Sequence, residues 1–195
     1  AMDPPHPLTI DNAISLLQSL QCLDEKENVT LLGKLISDIP VSPCLGRMLV
    51  YSCLFHKTDD AMKLACAMSY KDPFIIPSEQ QRGALMKVKM RYTQHPSDHM
   101  VLVNLMNRYI DAKKHLSYGK LMQFCDEHFI SHVTMNFIVD LYHRIKSTLA
   151  PFAVEVDASQ LNLLMPLTTI ALYPNYAVRR QTVKVFATEK GRKAK

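Results

Sequence analysis

Three side chains able to bind a metal fall at helical spacing in one stretch. They are Cys125, His128 and His132, in a C-x-x-H-x-x-x-H pattern. On a single helix they would share a face and offer three ligands. A structural zinc site needs a fourth ligand and a closed shell. Glu127 is adjacent but points elsewhere on a helix. The glutamate of an H-E-x-x-H metalloprotease is missing, because Phe129 stands in its place. The apolar neighbours favour Cys125 as a core residue and the histidines as part of a polar face, so no metal ligands are nominated.

Nucleotide and covalent chemistry find less support. The five glycines, Gly33, Gly46, Gly83, Gly119 and Gly191, are too scattered for a phosphate loop. Gly33-Lys34 lacks both the earlier glycine and the following Ser or Thr that phosphate cradling requires. Neither a G-x-S-x-G elbow nor a kinase set occurs. No catalytic residue is nominated and no cofactor is expected in these residues. The five cysteines, Cys22, Cys44, Cys53, Cys66 and Cys125, form no C-x-x-C pair, and they read as reduced core residues of an intracellular protein.

Charge gives the clearest binding signal. The chain of 195 residues carries a net charge of +5. From Arg179 to Lys195 there are seven Lys/Arg against one Glu, so that stretch carries +6 and the other 178 residues sum to −1. A polyanion-binding role is therefore expected at the C-terminal end. A solvated basic tail is the competing reading. No apolar run approaches the ~20 residues that span a bilayer, and the opening residues lack the pattern of a secretory signal. An intracellular protein of unassigned compartment, with no membrane partner, is expected. Ala1-Met2 reads as a cloning remnant, which would leave any native address outside these residues.

The elements that must position such residues are mainly helical. Ser131 to Leu149 is the organising stretch. Val133, Phe137, Leu141, Ile145 and Leu149 recur every four residues, with Thr134, Ile138 and Tyr142 beside them. Ser131 can cap this helix and Pro151 stops it. Asn136, Asp140, His143, Arg144 and Lys146 make its polar face. About 18 helical residues span roughly 27 Å.

Upstream, Pro4, Pro5 and Pro7 make an extended entry, and Thr9 or Asp11 caps a helix with Ile10, Ala13, Ile14, Leu17 and Leu20 on one face. Asp24 to Val29 is a hairpin-like break. Thr30 caps a short helix, and Ser42-Pro43 starts a third. Thr58-Asp59-Asp60 caps a helix with the stripe Ala61, Leu64, Ala65 and Met68. Phe74, Ile75 and Ile76 read as a buried connector between Pro73 and Pro77. Ser78 to Tyr92 is a cationic helix. Ser97-Asp98 caps another through Tyr109, and Gly119 to Phe129 is one more. Beyond Pro151, Leu161 to Leu167 suggests a helix ending near Tyr173. Thr182 to Thr188 then alternates like a strand, and Glu189-Lys190-Gly191-Arg192 signals a turn.

Read together, these segments resemble a known family. Val29-Thr30-Leu31-Leu32-Gly33-Lys34, then Ile39-Pro40 through Leu45-Gly46-Arg47-Met48-Leu49, resembles the L-T-x-L-G … L-P-x-x-P-x-L-G-[KR]-M-L pattern of the helicase-associated region of DEAH-box/DExH RNA helicases. Lys71-Asp72-Pro73-Phe74 and Ser97-Asp98-His99 are similar to its R-D-P-F and S-D-H signatures. Phe124-Cys125 with Phe129-Ile130 resembles its [WF]-C-x-x-N-[FY]-L box, and Tyr173-Pro174-Asn175 its L-Y-P-N. Three departures stand out. His128 replaces the usual Asn, and Ala171 a common glycine; both are expected to alter an RNA contact or a backbone approach. Tyr109 replaces a common tryptophan and is expected to change packing only.

The resemblance implies a mainly α fold in three parts. A winged helix over 1–57 would precede a helical ratchet bundle over 58–156 and the N-terminal part of an incomplete OB-type barrel over 157–195. It implies an accessory module of an ATP-dependent 3′-to-5′ RNA helicase. ATP and Mg would then belong to absent RecA-like motor domains of the same chain. Single-stranded RNA would be the partner, with possible docking of a G-patch-type activator. The expected RNA contacts are Arg179, Arg180, Lys190, Arg192 and Lys193 in the basic end, and Ser131, His132 and Thr134 at the start of the ratchet helix. Tyr173, Tyr176 and Phe186 are further candidates for base stacking. A protein-interaction scaffold with an incidental basic end is the alternative.

Overall fold

The computed structural model describes residues 4–55, 58–76, 78–93, 97–151 and 164–173, and the backbone of 177–179, 186–188 and 193–194. The chain forms two compact units. Ala1–Lys57 and Val154–Lys195 make the first, and Thr58–Ala153 the second. The described residues are mainly helical.

The first unit opens with α1 (Pro7–Ser19). Its N-cap is His6, whose Nδ1 accepts the Leu8 N–H at 3.2 Å. The expected caps, Thr9 and Asp11, lie inside the helix. The reason is Pro7, which needs no N–H partner and has its φ preset for the first helical position. Only the C-terminal end of α1 is anchored. Ile10 remains exposed, whereas Leu20, just past the helix, is buried with Cys22 and Ile36. Asp24 Oδ1 then accepts the N–H groups of Lys26 and Asn28 at 2.9 and 2.8 Å, and Leu23 pairs with Val29 as an antiparallel bridge. This is the expected hairpin-like break.

Thr30 caps α2 (Leu31–Ser37) by accepting the Gly33 N–H at 3.0 Å. Its own N–H donates to the Cys22 carbonyl, also at 3.0 Å. That closeness explains Gly33: a Cβ there would lie 2.2 Å from the Cys22 oxygen. Gly46 plays the same part in α3 (Pro43–Leu54), where a Cβ would lie 2.8 Å from Ile36 Cγ2. The two glycines of the sequence pattern are therefore packing positions.

Helix α3 also packs against α9 (Leu164–Leu172). Arg47, 7% exposed, donates from Nη2 to the carbonyls of Ile170 at 2.6 Å and Ala171 at 3.3 Å. These carbonyls lie in the last helical turn, where no N–H follows to receive them and the dipole favours a cation. Ala171 is fully buried. Three short strands follow: β1 (Ala177–Arg179), β2 (Phe186–Thr188) and β3 (Lys193–Ala194). They pair antiparallel in the order β1-β2-β3, with Arg179 opposite Phe186 and Ala187 opposite Lys193. The rest of the expected strand, Thr182 to Val185, lies outside the described residues, as do Leu161 and the turn at Glu189 to Arg192.

The second unit is built on α4 (Thr58–Ser69), which packs against both α6 (Asp98–His115) and α8 (His132–Leu149). Enclosure by two helices leaves α4 without a solvent face along most of its length. Ala61 to Ala67 are all buried, not merely the expected stripe. Ala61, Ala65 and Ala67 let the neighbours approach. Lys63 survives there by ion-pairing with Asp59 and lying 5.9 Å over the Tyr142 ring. The placement of α4 also sets which face of α8 is covered. Met135, Ile138, Val139, Tyr142, Ile145 and Leu149 face inward, whereas Val133 and Phe137 are 64% and 56% exposed. The expected inward stripe is thus rotated.

Helix α5 (Arg82–Arg91) follows a short 3-10 turn, Glu79–Gln81, and buries only Val88. Phe74 is buried as expected, but Ile75 and Ile76 are exposed, at 53% and 79%. Ile75 still takes part in the short backbone pairing that sets Phe74 into the core, but on extended backbone its side chain leaves on the opposite face, and Ile76 lies past the pairing.

Two tests follow from this packing. Gly33→Ala should cost about 1–3 kcal/mol in a urea titration, because the clash is with backbone. Gly119→Ala, where a Cβ meets nothing within 4 Å, should gain about 0.5–1 kcal/mol. The second test concerns Asp59. Burial raises its pKa, but hydrogen bonds from Lys63 and Tyr142 outweigh burial and hold it below the usual carboxylate value. A lowered folded pKa contributes stability above the unfolded value, and that stability is lost as pH falls through the folded one. Relative to Asp59→Asn, the wild type should therefore lose urea stability as pH drops below 3.8. Parallel curves for the two proteins would remove Asp59 from the account.

Candidate nucleic-acid interface

The start of α8 is held by the turn that leads into it. Helix α7 (Tyr118–Glu127) ends at His128, whose Nδ1–H donates to the Phe124 carbonyl at 2.7 Å. The His128 ring also rests on Phe124, with centroids 4.2 Å apart. The residue that departs from the family's usual Asn thus closes the end of its own helix. Phe129 is left-handed, with φ 54°, so α7 stops two residues before the expected Phe129. The chain then reverses onto residues 73–75. Ile75 N–H donates to the Phe129 carbonyl at 2.8 Å, and Ser131 N–H donates to the Pro73 carbonyl at 2.9 Å. Phe74 and Ile130 form an antiparallel bridge between these bonds.

Ser131, His132 and Thr134 meet in the first turn of α8. Ser131 Oγ accepts the Thr134 N–H at 3.2 Å and lies 3.1 Å from the Thr134 hydroxyl. The N–H groups of the opening turn have no intrahelical acceptor, and no acidic side chain occupies that turn. It therefore presents a positive helix end. His132 belongs to a closed polar ring. Its Nδ1 is 2.9 Å from Tyr109 Oη, Tyr109 donates to Asn136 Oδ1 at 3.0 Å, and Asn136 Nδ2 is 2.9 Å from His132 Nε2. All three bonds are satisfied together by a neutral imidazole with its hydrogen on Nδ1. Lys113 Nζ donates to the same Asn136 oxygen at 2.8 Å, fixing which way the amide points.

Tyr109 is fully buried, and burial pushes its phenol well above the usual value. Its hydroxyl is the centre of this network, so the expectation that Tyr109 changes packing alone is corrected. Sequence reasoning did not nominate Tyr109, Lys113 or Asn136. Tyr109 and Lys113 are four apart on α6, as His132 and Asn136 are on α8, but nothing in either pair identifies the other as its partner.

Cys125, His128 and His132, which were not nominated as metal ligands, do not share one helix. Cys125 is buried in α7, His128 caps it, and His132 begins α8. Among the described residues no group of three His, Cys, Asp or Glu stands close enough to hold a metal. Gly33 is no phosphate cradle either, since a carbonyl fills the space beside it.

Of the basic residues, Arg179 lies in β1 and Lys193 in β3, described by backbone position. Arg180, Lys190 and Arg192 lie outside the described residues, as does Tyr176. Tyr173 is 51% exposed just past α9. The two groups of candidates belong to different units, and each unit stands here by itself.

The comparisons with known proteins agree with a mainly helical chain. A family model described as the winged-helix part of the helicase-associated domain (HA2) matches residues 13–41, and one for its ratchet-like part matches 42–102. The DExH-box ATP-dependent RNA helicase DExH1 of Arabidopsis thaliana is 28% identical over 184 residues, covering 90% of this chain and 18% of the relative. DExH3 of the same plant is 34% identical over 136 residues, covering 69% and 11%. The human ATP-dependent DNA/RNA helicase DHX36 is 26% identical over 213 residues, covering 97% and 20%. The chain thus spans a fifth or less of each of these relatives. Among the described residues no helix is long and apolar enough to cross a membrane. Winged-helix and ratchet models in sequence, on a helical chain similar to DExH-box enzymes over most of its length, identify these residues as a helicase-associated region of the DEAH-box/DExH RNA helicase type.

Proposed function

We propose that this region is the accessory RNA-binding module of an ATP-dependent 3′-to-5′ RNA helicase. It grips single-stranded RNA while RecA-like domains of the same longer chain bind ATP with Mg and hydrolyse the ATP. The observation that carries the reading is the first turn of α8, a positive helix end with the Lys113 ammonium held beside it through Asn136. Ser131, His132 and Thr134 are the residues proposed to meet a phosphate there. Arg179, Arg180, Lys190, Arg192 and Lys193 supply a second, basic contact. The stretch from residue 157 is proposed to begin an OB-type barrel, with 1–57 as the winged helix and 58–156 as the ratchet.

The sequence carries no phosphate-loop motif, and ATP is proposed to be held by the RecA-like domains. A docking role beside other protein is supported by α1, where Leu8, Ile10 and Leu16 are exposed at 60%, 46% and 44%. The proposed occupant is a motor domain of the same chain, with a G-patch-type activator as a further partner.

Binding of a fluorescent single-stranded RNA across a salt titration tests the reading. Affinity should fall linearly in log–log form. Arg179→Ala with Arg180→Ala should weaken binding across sequences and lower the slope by about one to two. An unchanged slope would remove both residues from the interface. Tyr109→Phe breaks the polar ring around His132 without shortening the side chain that packs α6 on α8. It should reduce affinity by roughly three- to ten-fold and stability by only about 1 kcal/mol. Unaltered affinity would place the RNA away from this turn.

A further inference from the structure

We propose that a cleft in the second unit, of about 300 Å³, seats one unpaired nucleobase and prefers a base that carries an exocyclic amine. The proposal rests on the reading of the chain as an RNA-binding module. It starts from two sequence signatures that the proposed function leaves unused, Lys71-Asp72-Pro73-Phe74 and Ser97-Asp98-His99. Asp72, Phe74 and Asp98 from these signatures line the same cleft, with Tyr70 from the end of α4 and Lys89 from α5.

The lining has the features that a flat, edge-polar ligand needs. Phe74, with Ala67 and Val101, gives an apolar floor, and all three are buried. Tyr70 stands 45% exposed and packs 5.7 Å from the exposed Phe137 ring, which extends the aromatic surface outward. Lys89 Nζ lies 4.5 Å over the Phe74 ring and makes no ion pair among the described residues. Asp72 accepts the Phe74 N–H through Oδ1 at 2.9 Å, which pins the carboxylate and leaves Oδ2 for a ligand.

The charges choose the occupant. Two carboxylates against one ammonium repel a phosphate, so the backbone of the RNA stays outside. An arginine from a partner protein would be drawn by the carboxylates but would meet the Lys89 ammonium. A base satisfies both signs: its amine donates to a carboxylate, its ring nitrogen or carbonyl accepts from Lys89, and its faces stack on aromatic rings. The volume lies at the small end of ligand clefts, ~300–1,000 Å³, which suits one base and not a folded element. Uracil places a carbonyl where cytosine has its amine, and that oxygen would face the carboxylates.

The two pyrimidines therefore make the test. Fluorescence anisotropy with labelled oligo(C) and oligo(U) RNA, at one salt concentration, should show oligo(C) binding roughly five-fold or more tightly. Asp72→Asn keeps an acceptor for the Phe74 N–H and should abolish the difference. Tyr70→Ala should weaken both RNAs. Should Asp72→Asn melt early, Asp98→Asn carries the same test at the second carboxylate lining the cleft. Equal binding of the two RNAs by the wild type, or a preference that survives Asp72→Asn and Asp98→Asn, overturns the base site while leaving the RNA reading intact. So does displacement of neither RNA's base discrimination but of the whole complex by a short arginine peptide that loses its grip in Asp72→Asn. Failure to bind either RNA removes the RNA reading, and this site with it.

Discussion

Residues 73–75 and 129–131 are joined by backbone hydrogen bonds inside an otherwise helical unit. Each bond contributes only about 0.5–1.5 kcal/mol net. Their importance is positional. From one side the pairing sets Phe74 into the core and so forms the floor of the cleft. From the other it sets Ser131 as the cap of α8 and so aims the first turn of that helix. The left-handed Phe129 makes the reversal possible. Two features separated by more than fifty residues of sequence therefore share one anchor.

The anchor works because α4 gives the unit something to wrap. A helix with alanine at positions 61, 65 and 67 can be enclosed by α6 and α8, and the enclosure in turn rotates α8 until Val133 and Phe137 face outward. Phe137 then meets Tyr70 at the surface. Phe137, which sequence periodicity assigns to the core, becomes part of the exposed face.

What was legible in the sequence was local. Thr30, Ser97 and Ser131 each cap the helix they were expected to cap, because a cap is decided by side chain and backbone within three residues. Ser42-Pro43 likewise opens α3. The glycines and the arginine of the L-G … L-G-[KR]-M-L pattern marked the helicase-associated family, but their reasons, a carbonyl beside Gly33 and a helix end beside Arg47, required the fold. The inward face of α8 was illegible because apolar residues line more than one side, and only its neighbour decides between them. Lys63 was no part of the expected stripe, and its burial was illegible because the Tyr142 ring beside it belongs to α8. The site was half legible. His132 was nominated by its position, whereas Tyr109 looked like packing because both partners of its hydroxyl come from another helix.

Arg47 has a consequence in time as well as space. Its guanidinium meets carbonyl groups 123 residues further along the chain, and the whole of the second unit is encoded between them. During synthesis α3 emerges with a cation that has no helix end to receive it. The second unit can assemble first, as a continuous stretch. Helix α9 is encoded after the whole of the second unit, so the first unit closes around Arg47 only when the residues on both sides of the second unit are available.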